Sequence, residues 1–444
     1  MSYLFSAKTL SMKNYLLLFV WLLSGFTAFS QIGEICKWDD DKSAAVVLTF
    51  DDWSPGQQPI VPNELKNRGI TATFFITTNL VASWNHDWPT VVSTQAKGNE
   101  IGNHTYSHPH LLTLSTLQLD TQITQVKAAI ETHVPLQKVV SFAYPFGEGV
   151  GSTSKDLEIR ALLKATGHIG ARSVSASNYT YNFATTDDDY YKIMTYTMSG
   201  SVSISTFENQ LTQIISGGGL LTILYHSIDD ANNSHGDTWF NQVKQTALQQ
   251  QLDTLVSYKD KVWITTFGQA VKYHKERNCA TLNLLGTTST TMTFSLSDTL
   301  SNNTVYNQPL SLKIFRNGIN YSTVTQNGIS VAVDTVLNDS IMFHAVPDAG
   351  DIVLTVGDLG INAALFSSEN IRINKDNSVI NIQLSTSMKN ANVSVLDLSG
   401  KEIYKKSSVG LLDHLQIDLS GVSSGIYLLR IKSDEKTYTK KFSY

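Results

Sequence analysis

The chain has 444 residues, of which 42% are hydrophobic and 16% charged, and this length suits two or three domains. Its 33 basic and 38 acidic residues give a net charge of −5, which excludes proteins that coat nucleic acid or bind membranes through a basic patch. Disorder is excluded as well, because it requires low hydrophobicity together with a high net charge.

Residues 13–30 (KNYLLLFVWLLSGFTAFS) have the features of a secretory signal peptide. Lys13 supplies the positive charge, and the apolar stretch after it is shorter than the roughly 20 residues that span a bilayer. Ala28 and Ser30 are the small residues expected before a cleavage site. We therefore predict a signal peptide over residues 1–30, export of the chain, and no transmembrane segment in the mature protein.

Short apolar runs alternate with helical patterns between residues 36 and 278. The runs are unbroken, as expected for strands with both faces covered, and they occupy residues 45–50, 72–77, 139–144, 220–226 and 262–267. Helical spacing is found over residues 115–131, 207–215 and 239–258, with Ser115 as an N-cap. This alternation predicts an α/β domain with a parallel sheet, either open or closed into a barrel.

From residue 280 the sequence changes to short alternating strands separated by glycine turns. The first all-β module, over residues 280–362, has predicted strands at 310–315, 329–334 and 351–356. The second, over residues 365–444, has predicted strands at 380–385, 391–400, 415–421 and 425–433. Both modules are typical of β-sandwiches, and the first carries no motif that indicates a role.

Cys36 and Cys279 are the two cysteines of the chain and stand at the two ends of the predicted α/β domain. Export permits a disulfide between them, which would join the ends of that domain and constrain the unfolded chain. Two unpaired thiols are the alternative, and the sequence does not choose between them.

The first chemical motif is Asp51-Asp52, which follows the apolar run at 45–50 in the segment TFDD. Neighbouring side chains on a strand point to opposite faces, so one carboxylate can bind a metal while the other acts as a base. Residues at the carboxyl ends of strands form the active sites of parallel α/β barrels. The alternative is an ordinary solvated turn.

His104 and His108, in the segment NHTYSH, are four residues apart, which places both imidazoles on one side of a helical turn. With one carboxylate they would make three ligands for a divalent metal and leave a position open for water and substrate. The alternative is a pair of surface histidines in a loop.

Two further motifs come at the ends of predicted strands. In FAYPFG, residues 142–147, the backbone N–H of Phe146 is available to donate to a developing oxyanion. In LYH, residues 224–226, His226 ends a strand. A lone histidine is usually structural, but this one is the fourth potential participant at a strand end.

In their order along the chain, these four motifs resemble those of the NodB-type polysaccharide deacetylases, carbohydrate esterase family four. The resemblance covers about residues 36–275 and implies a deformed (β/α) barrel with a metal-dependent deacetylase activity. It implies an acetylated polysaccharide as substrate, either an N-acetylglucosamine polymer such as chitin or peptidoglycan, or O-acetylated xylan.

The resemblance also implies roles for the residues at matching positions. Asp51 corresponds to the catalytic base and His226 to the general acid. The metal ligands of the family correspond to Asp52, His104 and His108. Zinc is the usual ion in the family, with cobalt or another divalent ion as alternatives.

The chain departs from the family at two places. The third motif normally begins with an arginine two residues before its proline, where this chain has Ala143. We expect Arg172, near another predicted strand end, to replace that arginine beside the base, and a surface arginine is the alternative. The fourth motif of the family, which tunes the general acid, is not recognisable.

Aromatic side chains are candidates for lining the sugar cleft, beginning with Trp53, which stands where a glycine often follows the two aspartates. The predicted substrate-binding residues are Trp53, Tyr144, Trp84 and Trp88. Trp239 is a further candidate, and each tryptophan could equally belong to the core.

Residues 365–444 resemble the C-terminal sorting domain of type IX secretion cargo. The matching segments are DLSGK at 397–401, LSG at 419–421, SGIYLL at 424–429 and KKF at 440–442. The resemblance implies the type IX secretion machinery as a partner, and a location outside the cell or on its outer surface. The alternative is a second carbohydrate-binding sandwich.

The leading hypothesis is therefore a secreted, metal-dependent polysaccharide deacetylase, a hydrolase of carbon–nitrogen bonds other than peptide bonds. The alternative is a non-catalytic glycan-binding surface protein on a degenerate esterase scaffold, motivated by Ala143 and the missing fourth motif. A third hypothesis is a surface adhesin in which the β modules carry the activity.

Overall fold

The computed structural model describes residues 32–83, 88–174, 180–181, 186–301, 305–316, 318–337, 339–356, 371–376, 378–397, 401–423, 425–432 and 437–444. The predicted signal peptide and Trp84 lie outside the described residues. The chain divides into two compact units. One runs to Gly318 and takes in Val324–Val353, and the other comprises Ile319–Thr323 and Leu354–Tyr444.

The α/β part of the first unit contains short strands and longer helices in alternation. Its strands are β1 Gly33–Ile35, β2 Ala44–Asp52, β3 Thr73–Ile76, β4 Glu100–Asn103, β5 Ser141–Ala143, β6 Gly170–Arg172, β7 Thr180–Tyr181, β8 Tyr196–Thr197, β9 Leu220–Tyr225, β10 Ile228–Asp229, β11 Val243–Lys244 and β12 Val262–Thr265. Its helices are α1 Gln57–Asn67, α2 Thr78–Ser83, α3 Trp88–Gln95, α4 Thr116–His133, α5 Ser154–Ala165, α6 Ile204–Gly217, α7 Gln245–Ser257 and α8 Phe267–Cys279. Short 3₁₀ turns lie at Asp39–Asp41, Leu111–Thr113, Pro145–Gly147 and Asp187–Tyr191.

The main sheet is curled and has the central strand order β6-β5-β4-β3-β2-β9, with parallel pairing throughout this run. β12 pairs with the first half of β2, and β3 pairs with its second half. Beyond β6, Ile193 bridges Arg172 and β8 pairs with β9, so the segment 193–197 links the two ends of this run. The sheet thereby approaches a closed, deformed barrel, which confirms the predicted fold class.

Both faces of the sheet are buried, which is why the strand sequences are unbroken apolar runs. In β2, Val46, Leu48 and Phe50 pack into one core cluster, while Ala45 and Val47 pack into the other. Each large buried side chain contributes about 1.5–3 kcal/mol through removal of apolar surface from water. Strand β2 is therefore held in place by the core on both faces, and this fixes the position of the polar residues at its carboxyl end.

Helix α4 shows how the local sequence sets a helix boundary. The Ser115 hydroxyl accepts the backbone N–H of Gln118, and the Gln118 side chain accepts the N–H of Ser115. This capping box is typically worth about 1 kcal/mol. The helix predicted over 115–131 with Ser115 as its N-cap is therefore found.

The helix predicted over residues 239–258 is wrong at its start. Residues 239–242 form a loop, Val243 and Lys244 pair with β10, and helix α7 begins only at Gln245. The apolar residues before Gln245 match a helical spacing, but they project from this loop.

An all-β part completes the first unit, and strands of the second unit follow it. The strands are β13 Thr281–Thr287, β14 Thr291–Ser297, β15 Leu310–Phe315, β16 Tyr321–Gln326, β17 Ile329–Val331, β18 Val333–Val336, β19 Ser340–Ala345 and β20 Ile352–Val356. β1, from the start of the described chain, pairs with β15 in the sheet β1-β15-β19-β18. Most of the first β module thus falls in the same compact unit as the α/β domain, while Ile319–Thr323 and the residues from Leu354 fall in the second unit. The predicted boundary near residue 280 stays a prediction.

Cys36 and Cys279 are free thiols in the structure, so the predicted disulfide is absent from it. The Cys36 carbonyl accepts hydrogen bonds from the Tyr273 hydroxyl and from Arg277 Nε. Tyr273 and Arg277 are four residues apart and lie on one face of α8, whereas Cys279 is two residues further, roughly 200° around the helix. Cys279 therefore does not lie on the face of α8 that contacts the Cys36 carbonyl, and burial raises the pKa of the Cys36 thiol to about 12.

His344 on β19 links the N-terminal segment to the first β module. Its Nε2 lies 2.8 Å from Asp39 Oδ1 and its Nδ1 lies 2.7 Å from Asp334 Oδ2. The hydrogen bond with Asp39 raises the pKa of His344 to about 9. Since this folded-state pKa is above the usual value near 6.5, the protonated imidazole stabilises the fold below pH 6.5.

The His344 contribution should disappear as the pH rises from about 6.5 through 9, because the imidazolium loses its proton over this range. We expect His344→Gln to lower the urea midpoint of the full chain at pH 6 and to change it much less at pH 9.5. A deficit of the same size at both pH values would contradict this role of the charged imidazole.

The second unit contains the sorting-like segment. Among its described residues from position 371 onward, the regular elements are the strands β21 Ile371–Asp376, β22 Val379–Leu396, β23 Glu402–Asp418, β24 Ile426–Lys432 and β25 Thr437–Ser443. They pair in the order β21-β22-β24-β25, with β23 also on β22, over a core that includes Ile382, Val393 and Leu429. Two of its predicted strands merge into the long β22. Within the described residues, no helix is both long and apolar enough to cross a membrane.

Candidate active site

Polar side chains from five elements meet at the carboxyl edge of the main sheet. The parallel strands bring their ends to one edge, where Brønsted acids, bases and metal ligands of α/β domains are usually found. The structure brings together Asp51 and Asp52 of β2, His104 and His108 after β4, Phe146 after β5, Arg172 of β6 and His226 after β9. Residues more than 170 positions apart in the chain therefore form one site.

Asp52, His104 and His108 present one ligand atom each within 4.8 Å of one another. His104 Nε2 lies 3.5 Å and His108 Nε2 lies 3.8 Å from Asp52 Oδ1. His104 Nε2 is buried and makes no hydrogen bond within the described chain, while its Nδ1 lies 2.9 Å from the Ala143 carbonyl. An oriented imidazole with an unpartnered inner nitrogen, beside a carboxylate and a second imidazole, is a donor set that fits a divalent metal.

The backbone around this cluster adopts left-handed conformations that non-glycine residues rarely take. Asp52 and Trp53 have φ values of 72° and 68°, and Thr105 and His108 have 71° and 55°. Each such residue costs energy and persists only where the surrounding structure enforces it, and such residues concentrate at functional sites. The turn after β2 directs Asp52 into the site, and it explains why a glycine suits the position of Trp53.

Asp51 is fully buried and its Oδ1 accepts a hydrogen bond from Arg172 Nη2. Its other oxygen lies 3.6 Å from His104 Nε2 and 4.0 Å from His226 Nε2. Arg172 is itself fully buried and packs over the ring of Phe75. Arg172, on the strand next to Ala143, thus lies beside Asp51, and its role as a replacement for the missing arginine stays a prediction.

His226 faces Asp51 across the site, and both strand ends are tied by one side chain. The Gln57 amide donates to the carbonyl oxygens of Asp51 and His226, each at 2.7 Å. This bridge fixes the separation of β2 and β9 at the level of the site. Gln57 had no signal in the sequence, because a glutamine near a helix start is common.

Phe146 has a φ of 55°, and its backbone N–H makes no hydrogen bond to any described residue. Its ring is half exposed, stacks on His110 with ring centres 4.0 Å apart, and meets the edge of His108 at 4.6 Å. His110 is held by Glu148 at 2.8 Å. The N–H is therefore available beside the metal cluster, on a turn that neighbouring rings hold in place.

The site opens into a pocket of about 540 Å³, within the range of about 300–1,000 Å³ typical of ligand pockets. Besides the ionisable groups, it is lined by Tyr144, Phe146, Val174, Thr197, Leu224, Phe240 and Asn241. Tyr144 lines the pocket as predicted, although its hydroxyl is turned away to donate to the Tyr191 carbonyl.

Two of the predicted sugar-binding tryptophans lie elsewhere. Trp53 is completely buried and packs edge-on against Phe74, so its prediction as a cleft residue is wrong. Trp88 packs on the core and stacks on His133 with ring centres 4.0 Å apart, so it does not line the pocket either. The left-handed turn that brings Asp52 inward sends the following indole into the core.

Burial sets the protonation of the site. It lowers the pKa of His104 to about 3, with the charge of His108 acting in the same direction. It lowers the pKa of His226 to about 4 and that of Arg172 to about 9. At neutral pH both histidines are therefore neutral and Arg172 is charged, which suits metal ligation by His104 and charge pairing with Asp51.

Two other groups of carboxylates and histidine lie within metal-binding distance, and they differ from the first. Asp39, Asp40 and His344 form one, and Asp229, Asp230 and His235 form the other. In the former, both nitrogens of His344 already contact carboxylates. In the latter, the aspartates accept backbone N–H groups of their own loop. Only the first cluster opens into the pocket.

The fold and the site define a class of protein: an α/β domain with a candidate metal centre at the carboxyl edge of a parallel sheet. Residues 39–168 match the family model described as Polysaccharide deacetylase, and residues 374–443 match the one described as Secretion system C-terminal sorting domain. These two segments are therefore similar to the polysaccharide deacetylase family and to the sorting-domain family, in agreement with both resemblances.

Known proteins are similar to large parts of this chain. A gellan lyase from a Bacillus species is 25% identical over 348 residues, covering 72% of this chain and 13% of its own length. A chitin deacetylase from a Pestalotiopsis species is 26% identical over 181 residues, covering 40% of this chain and 52% of its own. Because this chain spans about half or less of these relatives, their activities do not transfer to it directly.

Among solved structures, the family 4 carbohydrate esterase from Streptomyces lividans in complex with acetate is 20% identical, with a TM-score of 0.32. The match covers 50% of this chain and 92% of that one. A TM-score of this size does not by itself establish a shared fold.

Proposed function

We infer that this chain is a secreted deacetylase that depends on a divalent metal and hydrolyses acetyl groups on a polysaccharide. The observation that carries the proposal is the juxtaposition of the cluster Asp52, His104 and His108 with a buried carboxylate, Asp51, paired with Arg172. Sites of acid–base catalysis typically contain neighbouring ionisable groups whose surroundings shift their pKa values apart.

Asp52, His104 and His108 would hold the metal, with zinc favoured by two imidazoles and one carboxylate. The ion would polarise the acetyl carbonyl and make a water acidic enough to attack it at neutral pH. The His104 Nδ1 contact with the Ala143 carbonyl fixes the tautomer that leaves Nε2 as a ligand.

Asp51 is the proposed base. Its carboxylate is kept ionised by Arg172, so it can accept the proton of the attacking water as the new carbon–oxygen bond forms. Arg172 is a positioning residue in this scheme, because it acts on the reaction through Asp51.

His226 is the proposed general acid. Because burial keeps it neutral, its Nε2, 4.0 Å from Asp51 Oδ2, can take over the proton that Asp51 accepted. His226 then gives this proton to the sugar nitrogen or oxygen as its bond to the acetyl carbon breaks. The backbone N–H of Phe146 would donate to the carbonyl oxygen while it carries negative charge. The products are acetate and a free amine or hydroxyl.

Export and surface attachment are proposed from the sorting domain. Its match at residues 374–443 supports passage through the type IX secretion machinery, after an inner-membrane step that the signal peptide predicted over residues 1–30 would direct.

Acetate release by the full chain tests the proposal. With zinc or cobalt added, we expect release from at least one of N-acetylglucosamine oligomers, acetylated xylan and peptidoglycan, and loss of release after treatment with a chelator. If none of these glycans yields acetate with either ion, the enzyme proposal fails and a glycan-binding protein on the same scaffold becomes the better interpretation.

A further inference from the structure

A short loop at residues 239–242 forms the lip of the pocket beside His226. The Phe240 N–H donates to Ser227 Oγ at 3.1 Å, and the Phe240 carbonyl accepts the Ser227 N–H at 3.3 Å. The Val243 N–H donates to the Ser227 carbonyl at 2.9 Å. Because Ser227 directly follows His226, these bonds fix the lip relative to the proposed general acid.

Phe240 is an exposed aromatic side chain held in a defined orientation. Its ring is 60% exposed and meets the His226 ring edge-to-face, with centres 4.9 Å apart at 84°. Covering this exposed ring with an apolar surface of a ligand would be favourable, because apolar area would be removed from water. The C–H faces of a pyranose ring are the kind of apolar surface that stacks on such a ring.

Asn241 places an amide beside this ring. It lines the pocket, has a φ of 50°, and its side chain makes no hydrogen bond to the described residues. An amide supplies both donors and an acceptor, so it can pair with sugar hydroxyl groups. A left-handed asparagine after an exposed phenylalanine thus presents the two kinds of contact that a sugar needs.

The charged groups that line the pocket limit which sugars can bind there. Within the described residues, its carboxylate and imidazole lining groups are the five of the proposed reaction centre: Asp51, Asp52, His104, His108 and His226. No lysine or arginine in that part of the chain lines it to pair with a carboxylate or phosphate on the ligand. The pocket therefore favours an uncharged sugar.

The proposed reaction geometry leads from these contacts to a site. The acetyl carbonyl lies toward the metal cluster and the leaving atom lies toward His226, so the sugar ring that carries the acetyl group must extend past His226. Phe240, which contacts the His226 ring, and Asn241 next to it line the pocket on that side. We propose that they bind the uncharged sugar residue that carries the acetyl group, an assignment that rests on the function proposed above.

The test compares full-length variants on two acetyl substrates, an N-acetylglucosamine pentamer or acetylated xylan fragment and the sugar-free ester triacetin. Phe240→Ala should raise KM for the glycan roughly tenfold with a small change in kcat, lowering selectivity for glycan over triacetin by a similar factor. Phe240→Trp should restore it. Asn241→Gly, which keeps the left-handed backbone, should lower the selectivity roughly threefold to tenfold.

The matched control is Leu136→Ala, which removes an 88% exposed side chain away from the pocket and should leave the selectivity unchanged. Equal losses on glycan and triacetin would show that Phe240 only supports the fold of the site and would overturn the proposal. An acetylated polyuronate used as well as the neutral glycan would overturn the uncharged-sugar assignment.

A binding measurement separates this inference from the proposed activity. Titration calorimetry of the full chain with the pentamer and with deacylation-resistant xylan fragments should show roughly tenfold weaker binding for Phe240→Ala. Weakened binding in a chain that releases no acetate would support the sugar site and refute the enzyme. Unchanged binding in a chain that does release acetate would refute the sugar site alone.

Discussion

Asp52→Asn and His104→Ala should each leave the purified chain without stoichiometric metal and without deacetylase activity. His104→Ala removes one of the three ligands, and Asp52→Asn replaces the anionic ligand by a neutral amide oxygen, so neither variant keeps the donor set of a catalytic site. Metal content measured by inductively coupled plasma mass spectrometry, together with acetate release, checks the prediction. Circular dichroism should show that both variants remain folded.

Asp230→Asn is the matched control, because Asp230 belongs to another carboxylate–histidine group outside the pocket. It should keep its metal and its activity. Stoichiometric metal retained in both Asp52→Asn and His104→Ala would contradict the proposed ligands. Metal lost only in Asp230→Asn would place the ion in that other group.

Arg172→Met should destabilise the fold by roughly 3–5 kcal/mol, since it leaves the buried Asp51 carboxylate without its partner. Asp51→Asn should lower kcat about 10²–10⁴-fold, because it removes the proposed base. The double variant should recover most of the stability lost in Arg172→Met, while it stays inactive. Urea unfolding and acetate release on the same four proteins measure both effects.

This cycle separates a positioning role of Arg172 from a purely structural one. A positioning role predicts that Arg172→Met also shifts the acidic limb of the pH–rate profile upward, because the paired charge that keeps Asp51 ionised is gone. If the double variant is as unstable as the sum of the single variants, the pair is not energetically coupled and the assignment of Arg172 fails.

The strands that carry the site could be predicted because they are buried on both faces and their sequences are unbroken. The motifs at their ends were predictable for a related reason: carboxylates and histidines directly after an apolar strand have few structural uses. Strand β4 was missed, since its sequence EIGN contains no unbroken apolar run. The left-handed turn at Trp53 and the loop at Phe240 depend on tertiary contacts that no local pattern contains.

Arg172 shows both what the sequence could predict about the site and what it could not. The sequence indicated that an arginine was missing at Ala143 and that Arg172 stood near a strand end. Its contact with Asp51 depends on the parallel pairing of β5 with β6, which aligns Ala143 with Arg172 as neighbours across the sheet. An arginine on β6 instead of β5 therefore still places its positive charge beside Asp51.

The sequence left open whether Cys36 and Cys279 pair, and the structure has them as free thiols. Cysteines at the two ends of a domain suggest a bridge, but the face of α8 that meets Cys36 is set by Tyr273 and Arg277. The direction of Cys279 follows from the helical period once that face is known. Position along the chain alone could not supply it.

Titration of the chelator-treated full chain with zinc, with acetate release from an acetylated glycan as the readout, tests the central claim most directly. We expect no release without metal and full recovery at one equivalent of zinc per chain. In Asp52→Asn, zinc should restore nothing. Acetate release that survives removal of the metal, or that returns equally in Asp52→Asn, would contradict a catalytic metal held by Asp52, His104 and His108.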